Sequence, residues 1–515
     1  MNRPVEAFKE SEYTRARIFA ESISKRSEYA GLDVPKDIRD KDSQLTDELA
    51  ALTNNRQKAY EKQNKEQIAV LEPQVKEAKQ KLSAHVDMLR KQYPLFAATK
   101  YPEPMDMNQS ALRDDEWALA YHVTDPGIII YLTRGKEIVK ALFKPIARDE
   151  LNSLVLTFRK PMEIVPGKDN FDEKLKSFDL VTAKKLSDLL LSDVLESIPN
   201  HIPILVVPDD CLGMLPFEML VLNDKGVIKT DKSLPYVSGA EFFGDRNLIS
   251  YSQSVTALTL SRIHAKAKGT HTGLLAIADP VLDEKDDRTS KAPKKEDPTG
   301  VMASLYKRLG LMAAEESDQM GGLRFSRLNL TGGLAKALAE MRKQGSAVYT
   351  GLNASKSNFM NIIAPKLNQY DEVLFATHGY FGKDLPGIME PVLVLTLVPP
   401  GTDGFLRMTE VMGLNMNADI VALTACQTGL GKRTAGEGTM GMGRAFQYAG
   451  AKSVLMSLWS VSEVASVNLV KSFFRNMKEG KSKSEALASA RTEIRGKGFD
   501  HPFFWAGFIL VGETN

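Results

Sequence analysis

The sequence carries one cysteine and one histidine that are placed for nucleophilic chemistry. Cys426 follows the short apolar run 420–423, which is typical of a buried strand, and His378 follows a similar run over 371–377. The carboxyl ends of neighbouring parallel strands meet at one edge of an open α/β sheet, where such sheets bind ligands. There an imidazole can take the proton of a thiol and later return it to a leaving amine. We therefore predict that Cys426 is a nucleophile and that His378 is its general acid/base.

Glycines crowd the stretch that follows the cysteine. They stand at Gly429, Gly431, Gly436, Gly438, Gly441 and Gly443. Glycine lets the backbone approach a bound group closely and adopt positive φ, so we predict that 429–443 forms a loop beside the site. The run 438–448 is also predicted to be helical, so the two predictions overlap over 438–443. Glu437 lies between two of these glycines and is predicted to anchor the loop through backbone hydrogen bonds.

Six short segments around these residues form a set with a fixed order. They are THG at 377–379, LTACQTGLG at 423–431, GEG at 436–438, RAFQYAGAKSV at 444–454, SLW at 457–459 and HPFFWAGFILVG at 501–512. In order and wording, the set resembles the CHAT family of caspase-like cysteine peptidases. The histidine also stands 48 positions before the cysteine, and about 50 is the caspase spacing.

The resemblance implies a fold, an activity and an oxyanion site. The fold is an α/β/α sandwich with a degenerate caspase-like half and an active half, and the activity is that of a cysteine endopeptidase. The backbone N–H groups of Gly379 and Cys426 are then expected to stabilise the tetrahedral oxyanion. Singly, the cysteine would be more typical of a structural thiol and the histidine of a strand-end cap. Together with the downstream segments, they favour catalysis.

Composition limits the class of protein. The chain has 515 residues, of which 43% are hydrophobic, so we expect about two to four domains. Its 67 Lys and Arg nearly balance 65 Asp and Glu along the helical patterns, which predicts no nucleic-acid contact. Two cysteines cannot form a disulfide framework, which fits a reducing compartment. No apolar run reaches about 18 residues and the N-terminus lacks the core of a signal peptide, so we predict a cytoplasmic protein without membrane contact.

The pattern along the chain predicts three parts. Residues 1–110 are a helical module, 115–268 alternate strands and helices as the degenerate half, and 271–515 form the active half. Within the module, apolar residues recur at helical steps over 41–93, and Pro73 is expected to kink or split that helix. An antiparallel hairpin is favoured over a self-associating coiled coil. The family resemblance implies the end of a tetratricopeptide (TPR) array here, whose helices would bind an activating protein.

The remaining cysteine and histidines are predicted to be structural. Cys211 lies in a predicted turn, with no strand-end histidine at the spacing that Cys426 has. His501 belongs to a family segment and is also read as structural. No histidine stands at metal-ligand spacing from cysteines or carboxylates, so we predict no metal and no cofactor.

The substrate is predicted to bind as an extended strand beside the run 454–459. The residues predicted to contact it are Thr424, Trp459, Ser460, Glu463 and Trp505. Relatives of this wider fold that cut after Arg or Lys often carry Asp two positions before the cysteine, where this chain has Thr424. Two alternatives follow for the S1 pocket. Either it is neutral and takes an apolar or small residue, which we favour, or Glu463 or Asp403 reaches in to bind Arg.

Two classes of function remain open at this point. By resemblance, the protein is a peptidase that cuts one or few protein partners in a bacterial stress or defence pathway. Its activity would be held back until a partner or processing reorders the 429–443 loop. The alternative is a catalytically inactive scaffold or adaptor that binds proteins through its N-terminal helices.

Overall fold

The computed structural model of the chain describes residues 3–13, 34–61, 64–93, 96–97, 101, 106–163, 171–263, 273–289, 325–342, 344–380, 390–399, 402–424 and 437–515. These residues form two compact units. One is helical and covers Lys9–Met105, and the other is an α/β unit of Met1–Phe8 with Asp106–Asn515. A first helix, α1, covers residues 4–13.

The helical unit is built from two antiparallel helices, α2 (Lys36–Glu61) and α3 (Lys65–Gln92). Asp42 near the start of α2 lies 3.4 Å from the imidazole of His85 near the end of α3, and the Tyr101 hydroxyl donates to Asp42 at 2.8 Å. The favoured helical hairpin is therefore present. Helix α3 continues through Pro73, so of the kink or split predicted there, the split is wrong and the kink stays a prediction. The helix boundary lies at Asn64, whose side chain caps the first turn of α3.

The strands and longer helices of the α/β unit follow in chain order. The strands are β1 (Trp117–Thr124), β2 (Gly127–Arg134), β3 (Glu137–Pro145), β4 (Pro203–Val207), β5 (Val227–Lys229), β6 (Tyr236–Ser238), β7 (Leu248–Tyr251), β8 (Leu274–Pro280), β9 (Ala347–Gly351), β10 (Glu372–Ala376), β11 (His378–Tyr380), β12 (Val392–Val394), β13 (Phe405–Arg407), β14 (Ile420–Leu423), β15 (Ser453–Ser457) and β16 (Phe508–Gly512). The helices are α4 (Arg148–Arg159), α5 (Leu180–Leu190), α6 (Val255–Ile263), α7 (Thr331–Arg342), α8 (Glu437–Tyr448), α9 (Glu463–Lys478) and α10 (Lys483–Gly496). Shorter helical segments cover Phe171–Lys176, Ser192–Leu195, Phe243–Arg246, 356–369, Met408–Met412 and Pro502–Trp505.

Among the described strands, eleven form one sheet in the order β3-β2-β1-β4-β7-β16-β15-β14-β10-β8-β9. Every residue of β8, β10, β14, β15 and β16 is buried. Successive side chains of a strand point to opposite faces, so helices and loops must cover both faces of the central sheet. The predicted α/β class with a preceding helical region is therefore confirmed.

Apart from the antiparallel pairing of β1, β2 and β3 at one side of this sheet, the direction of the strands reverses between β15 and β16. Strand β15 is parallel to β14 but antiparallel to β16, and β16 is parallel to β7, which is parallel to β4. The carboxyl ends of β1 and β4 therefore lie at the opposite edge from those of β10 and β14. The predicted halves, 115–268 and 271–515, both contribute to one sheet, and the exact domain boundaries stay a prediction.

A buried ion pair joins the two predicted halves. Arg491 of α10 donates to the Glu218 carboxylate at 2.7 Å and to the Phe508 carbonyl of β16 at 2.6 Å. The Tyr251 hydroxyl donates to the other oxygen of Glu218 at 2.5 Å. Glu218 is 0% exposed. Because its charge has no access to water, these hydrogen bonds are what make its burial tolerable.

Removing the charge of Glu218 is expected to destabilise the α/β unit. Glu218→Gln leaves the Arg491 guanidinium buried without a counter-charge, so we expect a loss of about 3 kcal/mol in the free energy of unfolding. The matched control is Glu173→Gln, which removes an exposed pair with Lys176 and is expected to cost under about 1 kcal/mol. Urea unfolding of both variants measures the difference. Equal losses would contradict a special role for the buried pair.

Candidate active site

His378 stands where the chain leaves the central sheet. Strand β10 pairs in parallel with β14, in the register Glu372↔Ile420 to Phe375↔Leu423. The Thr424 N–H donates to the Phe375 carbonyl at 3.1 Å, so the two strands stay together up to Thr424. His378 then opens β11, which pairs with β12 of a separate three-stranded sheet. The histidine is thus fixed by backbone pairing at the carboxyl edge of β10, as predicted from the sequence.

The tautomer of His378 follows from its hydrogen bond. Its Nε2 lies 2.6 Å from the backbone carbonyl oxygen of Ser326. A carbonyl can only accept, so Nε2 must carry the proton and Nδ1 is left as the basic nitrogen. The ring of Phe325 packs beside the imidazole with centroids 5.6 Å apart. The imidazole is therefore held in one orientation with one nitrogen available for proton transfer.

The surroundings keep this imidazole neutral. Burial lowers the pKa of His378 below its ordinary value of 6.5, although the hydrogen bond to Ser326 acts in the opposite direction. At neutral pH the ring is therefore uncharged and able to act as a base. The carbonyl of Ser326 also stabilises the imidazolium that forms when Nδ1 takes a proton.

The predicted nucleophile lies outside the described residues. Cys426 and positions 429–436 of the predicted glycine loop belong to that part of the chain, and nothing is stated of the Glu437 side chain. The later glycines lie in helix α8 and not in a loop. A Cβ at Gly443 would meet the Met456 sulfur at 2.8 Å, so this glycine lets α8 pack closely on β15. The predicted helix over 438–448 is therefore confirmed, and the loop prediction is wrong over 438–443, where the two predictions overlapped.

The predicted oxyanion and substrate residues differ in how the fold places them. Gly379 is buried in β11 opposite Leu393 of β12. Thr424 is buried at the end of β14, two positions before Cys426, and Ser460 is half-buried just after β15. Gly379 and Thr424 thus follow the two strands that lead to the predicted dyad. Their contacts with an oxyanion or a substrate stay predictions.

Two tryptophans predicted to contact substrate lie in the core. Trp459 is 3% exposed and its indole N–H donates to the Phe503 carbonyl at 2.9 Å. Trp505 is 1% exposed and its indole N–H donates to the Asp500 carbonyl at 3.1 Å. Both indole N–H groups are thus hydrogen-bonded within the fold, and this placement favours a packing role for the two tryptophans.

The two acids considered for binding Arg are already engaged. Glu463, at the start of α9, accepts a hydrogen bond from the Leu330 N–H at 2.7 Å, and burial raises its pKa to about 7. Asp403 accepts from Lys356 and Arg407, both at 2.8 Å. Burial acts to raise the pKa of Asp403, but these hydrogen bonds lower it. Neither acid is a free anion, which favours the neutral pocket.

The opposite edge of the sheet holds the other cysteine and a His–Asp pair. Cys211 is 1% exposed, and burial raises the pKa of its thiol to about 12, as suits an inert structural thiol. Two residues earlier, Asp209 follows β4 and lies 3.1 Å from Nδ1 of His122, which lies near the end of β1. Sequence reasoning missed this pair because it looked for a histidine matching Cys211.

Sequence reasoning also missed the carbonyl of Ser326. It reaches His378 from 52 positions away through a backbone atom, which every residue type carries. No pattern of side chains could have found it. Among the described residues, no cluster of three His, Cys, Asp or Glu could hold a metal ion. The same part of the chain has no helix with both the length and the apolar character that crossing a membrane requires.

Comparison with known proteins gives a family and partial relatives. The family model of the CHAT domain matches residues 180–513, more than half of the chain. Tetratricopeptide repeat protein 28 of Homo sapiens is 36% identical over 115 residues, which are 22% of this chain and 5% of that protein. The Mus musculus protein of the same name is 35% identical over 115 residues, with the same coverage. The chain thus spans only a small part of the length of these curated relatives.

Two solved structures of the Saccharomyces cerevisiae separase–securin complex show a partial likeness. One has a TM-score of 0.43 at 9% identity and covers 82% of this chain and 31% of that chain. The other has a TM-score of 0.34 at 13% identity and covers 92% of this chain and 27% of that chain. Both scores are too low to establish a shared arrangement.

The pKa of His378 can be measured without a nucleophile. In Cys426→Ala protein, we expect the imidazole to titrate below 6.5 in a pH series of NMR spectra, because burial disfavours the charged ring. His501 is the internal control. It is fully buried, with its pKa lowered by burial to about 3, so it should stay neutral from pH 5 to 8. A His378 midpoint above 6.5 would contradict the described environment.

Glu463 should make stability depend on pH. Its pKa rises from 4.5 to about 7 on folding, so the folded state binds more protons between these values and stability falls as pH rises through them. Glu463→Gln keeps an acceptor for Leu330 without a charge. Allowing for solvent screening, we expect it to exceed the parent by on the order of 1 kcal/mol at pH 8 and to match it below pH 4.5. Urea unfolding at both pH values measures this, and a constant difference would argue against it.

Proposed function

Because this chain belongs to the CHAT domain family, we propose that it is a cysteine endopeptidase with Cys426 as nucleophile and His378 as general acid/base. The observation that carries the proposal is the fixed tautomer of His378. Its Nε2–H is bonded to the Ser326 carbonyl at 2.6 Å, which leaves a basic nitrogen at the carboxyl edge of β10. An imidazole prepared in this way is what a thiol nucleophile needs.

The register of the sheet supports a meeting of the two residues. Strands β10 and β14 pair with a constant offset of 48 positions, as in Phe375↔Leu423. His378 and Cys426 differ by the same 48 positions. Cys426 is two residues beyond Thr424, and two residues span at most about 7 Å. The shared offset supports a position of the Cys426 thiol close to the His378 imidazole.

The opposite edge of the sheet provides an internal precedent. There β1 and β4 pair in parallel with an offset of 87 positions, as in Ala120↔Val207. His122 and Asp209 share this offset, each two residues beyond the pairing, and their side chains are 3.1 Å apart. Residues in register beyond paired parallel strands therefore do touch in this fold. The same relation is proposed for the dyad.

The proposed reaction is acyl transfer through a covalent intermediate. Nδ1 of His378 takes the Cys426 proton, and the thiolate attacks the scissile carbonyl carbon. The N–H groups of Gly379 and Cys426 stabilise the oxyanion, while the Ser326 carbonyl stabilises the imidazolium. The imidazolium then protonates the leaving amine as the scissile C–N bond breaks, and the acyl group stays on Cys426 as a thioester. Water, deprotonated by His378, hydrolyses the thioester and restores the thiol.

The proposed substrate is a protein segment bound as an extended strand. It would pair beside the end of β15 and the loop at Ser460, with Thr424 near the residue before the cut. The engagement of Glu463 and Asp403 supports an apolar or small residue there. By family resemblance, the enzyme cuts one or few partners in a bacterial stress or defence pathway. A partner bound by the N-terminal helices, or processing of the chain, would regulate it.

A thiol-reactive peptidyl probe tests the activity. We expect labelling of the parent protein to vanish in Cys426→Ala and to slow by about 10²-fold in His378→Ala, because the thiol then loses its base. Cys211→Ala is the matched control and should label like the parent, since that thiol is buried. Equal labelling of parent and Cys426→Ala, or no labelling of any form, would favour the adaptor alternative.

The scissile residue follows from a comparison of protein N-termini in a lysate. We expect termini that appear with the intact enzyme, but not with Cys426→Ala, to follow apolar or small residues. The reason is that both acids that would bind Arg are already bonded within the protein. A set of termini that follows Arg instead would overturn the neutral-pocket assignment while leaving the activity established.

A further inference from the structure

The carbonyl that orients His378 belongs to a short segment with its own anchors. We define the 325–331 segment as Phe325 to Thr331, which leads into helix α7. Ser326 in this segment accepts the Nε2 proton of His378 at 2.6 Å. The position of that carbonyl therefore sets the orientation and tautomer of the base. Contacts that hold the 325–331 segment in place therefore also hold the His378 imidazole in place.

The first anchor is a two-point ion pair next to Ser326. Arg327 donates from Nε to Asp279 Oδ1 at 3.0 Å and from Nη2 to Asp279 Oδ2 at 3.1 Å. Its Nη1 donates to Asp287 at 2.9 Å. Two parallel hydrogen bonds fix both the distance and the plane of a guanidinium, which a single contact does not do. The residue beside the orienting carbonyl is thus held rigidly.

Asp279 is itself set in an unusual backbone position. It lies at the carboxyl end of β8, the strand next to β10, with φ of 44°. Its N–H donates to the Thr331 hydroxyl at 3.1 Å, and Arg288 donates to its carbonyl at 2.7 Å. An L-residue keeps this conformation only where its surroundings impose it. The site of the ion pair is therefore built into the sheet edge beside the histidine strand.

The second anchor is a hydrogen bond between the 325–331 segment and helix α9. Glu463 opens α9, three residues after Ser460, and accepts a hydrogen bond from the Leu330 N–H at 2.7 Å. The charged groups facing the 325–331 segment are thus Asp279, Asp286, Asp287 and Glu463 as acids, with Arg288 as a further cation. Arg288 also binds Asp286. The segment is tied at both ends, to β8 and to α9.

We propose that Arg327 and Asp279 are positioning residues that hold the Ser326 carbonyl against His378 and thereby keep Nδ1 of the base directed at the thiol. Neither residue touches the reacting atoms in this role. The inference rests on the proposed function for its consequence in catalysis. Its structural part concerns the imidazole alone, and that part is testable in protein that lacks the nucleophile.

The direct test uses NMR of the His378 imidazole in a Cys426→Ala background. We expect a protected Nε2-bound proton in that protein, because the ring nitrogen donates to the Ser326 carbonyl. In Arg327→Gln and Asp279→Asn, the proton should exchange at least about tenfold faster, which corresponds to about 1.4 kcal/mol. Arg327→Lys keeps the charge and one donor and should recover part of the protection.

The matched control removes a comparable ion pair that lies outside the 325–331 segment. Arg342, the last residue of α7, donates to Glu372, the first residue of β10, at 2.7 Å. Arg342→Gln removes this ion pair and leaves the contacts of the 325–331 segment in place. We expect its His378 signal to match the parent. Equal loss of protection in Arg342→Gln and Arg327→Gln would reduce the effect to general stability and overturn the inference.

The kinetic test measures alkylation of Cys426 by iodoacetamide against pH, by mass spectrometry. If the positioned imidazole lowers the pKa of the thiol, Arg327→Gln and Asp279→Asn should raise the midpoint of the alkylation rate against pH by about one pH unit. At pH 7 the rate should then fall about tenfold, while Arg342→Gln stays unchanged. An unchanged midpoint in both variants overturns the inference. If His378→Ala also leaves the midpoint unchanged, the dyad itself fails, which is a separate result.

Discussion

The parallel pairing of β10 with β14 is the constraint on which the site depends. Both strands are buried, and a slip of the register by one residue would move every side chain to the other face of the sheet and out of its packing there. The pairing fixes where each chain leaves the sheet. Phe375 pairs with Leu423, and the chain direction then carries His378 and Thr424 to the same edge. The chemistry is located by strand register more than by any single side-chain contact.

Much of this arrangement could be predicted from the sequence because buried strands leave a clear pattern. Short apolar runs ending at His378 and before Cys426 indicated two parallel strands, and the family resemblance is confirmed by the CHAT domain match over 180–513. The helical hairpin was predicted as well, but its boundary was not. Asn64 begins the second helix of the pair through a side-chain cap, and α3 then continues through Pro73. The helix boundary lies at the Asn64 cap, whereas the general effect of proline on helices had predicted a break at Pro73.

The features that could not be predicted depend on tertiary packing. The Ser326 carbonyl is a backbone atom, and its contact with His378 has no counterpart in residue type. Gly443 is needed because Met456 packs against it, which only the assembled sheet and α8 reveal. The two tryptophans were predicted to contact the substrate beside the run 454–459. The fold uses Trp459 and Trp505 as core residues with bonded indole groups.

The reversal of strand direction inside one continuous sheet has a consequence for how the α/β unit can respond to a partner. Its hydrogen-bonded strands run without interruption from β3 to β9, so rotation of one half about a hinge would have to break main-chain bonds at the junction of β16 and β7. A ligand that leaves these bonds intact would therefore act through the loops at the two ends of the strands. His378 lies at one of these ends, and the His122–Asp209 pair lies at the other.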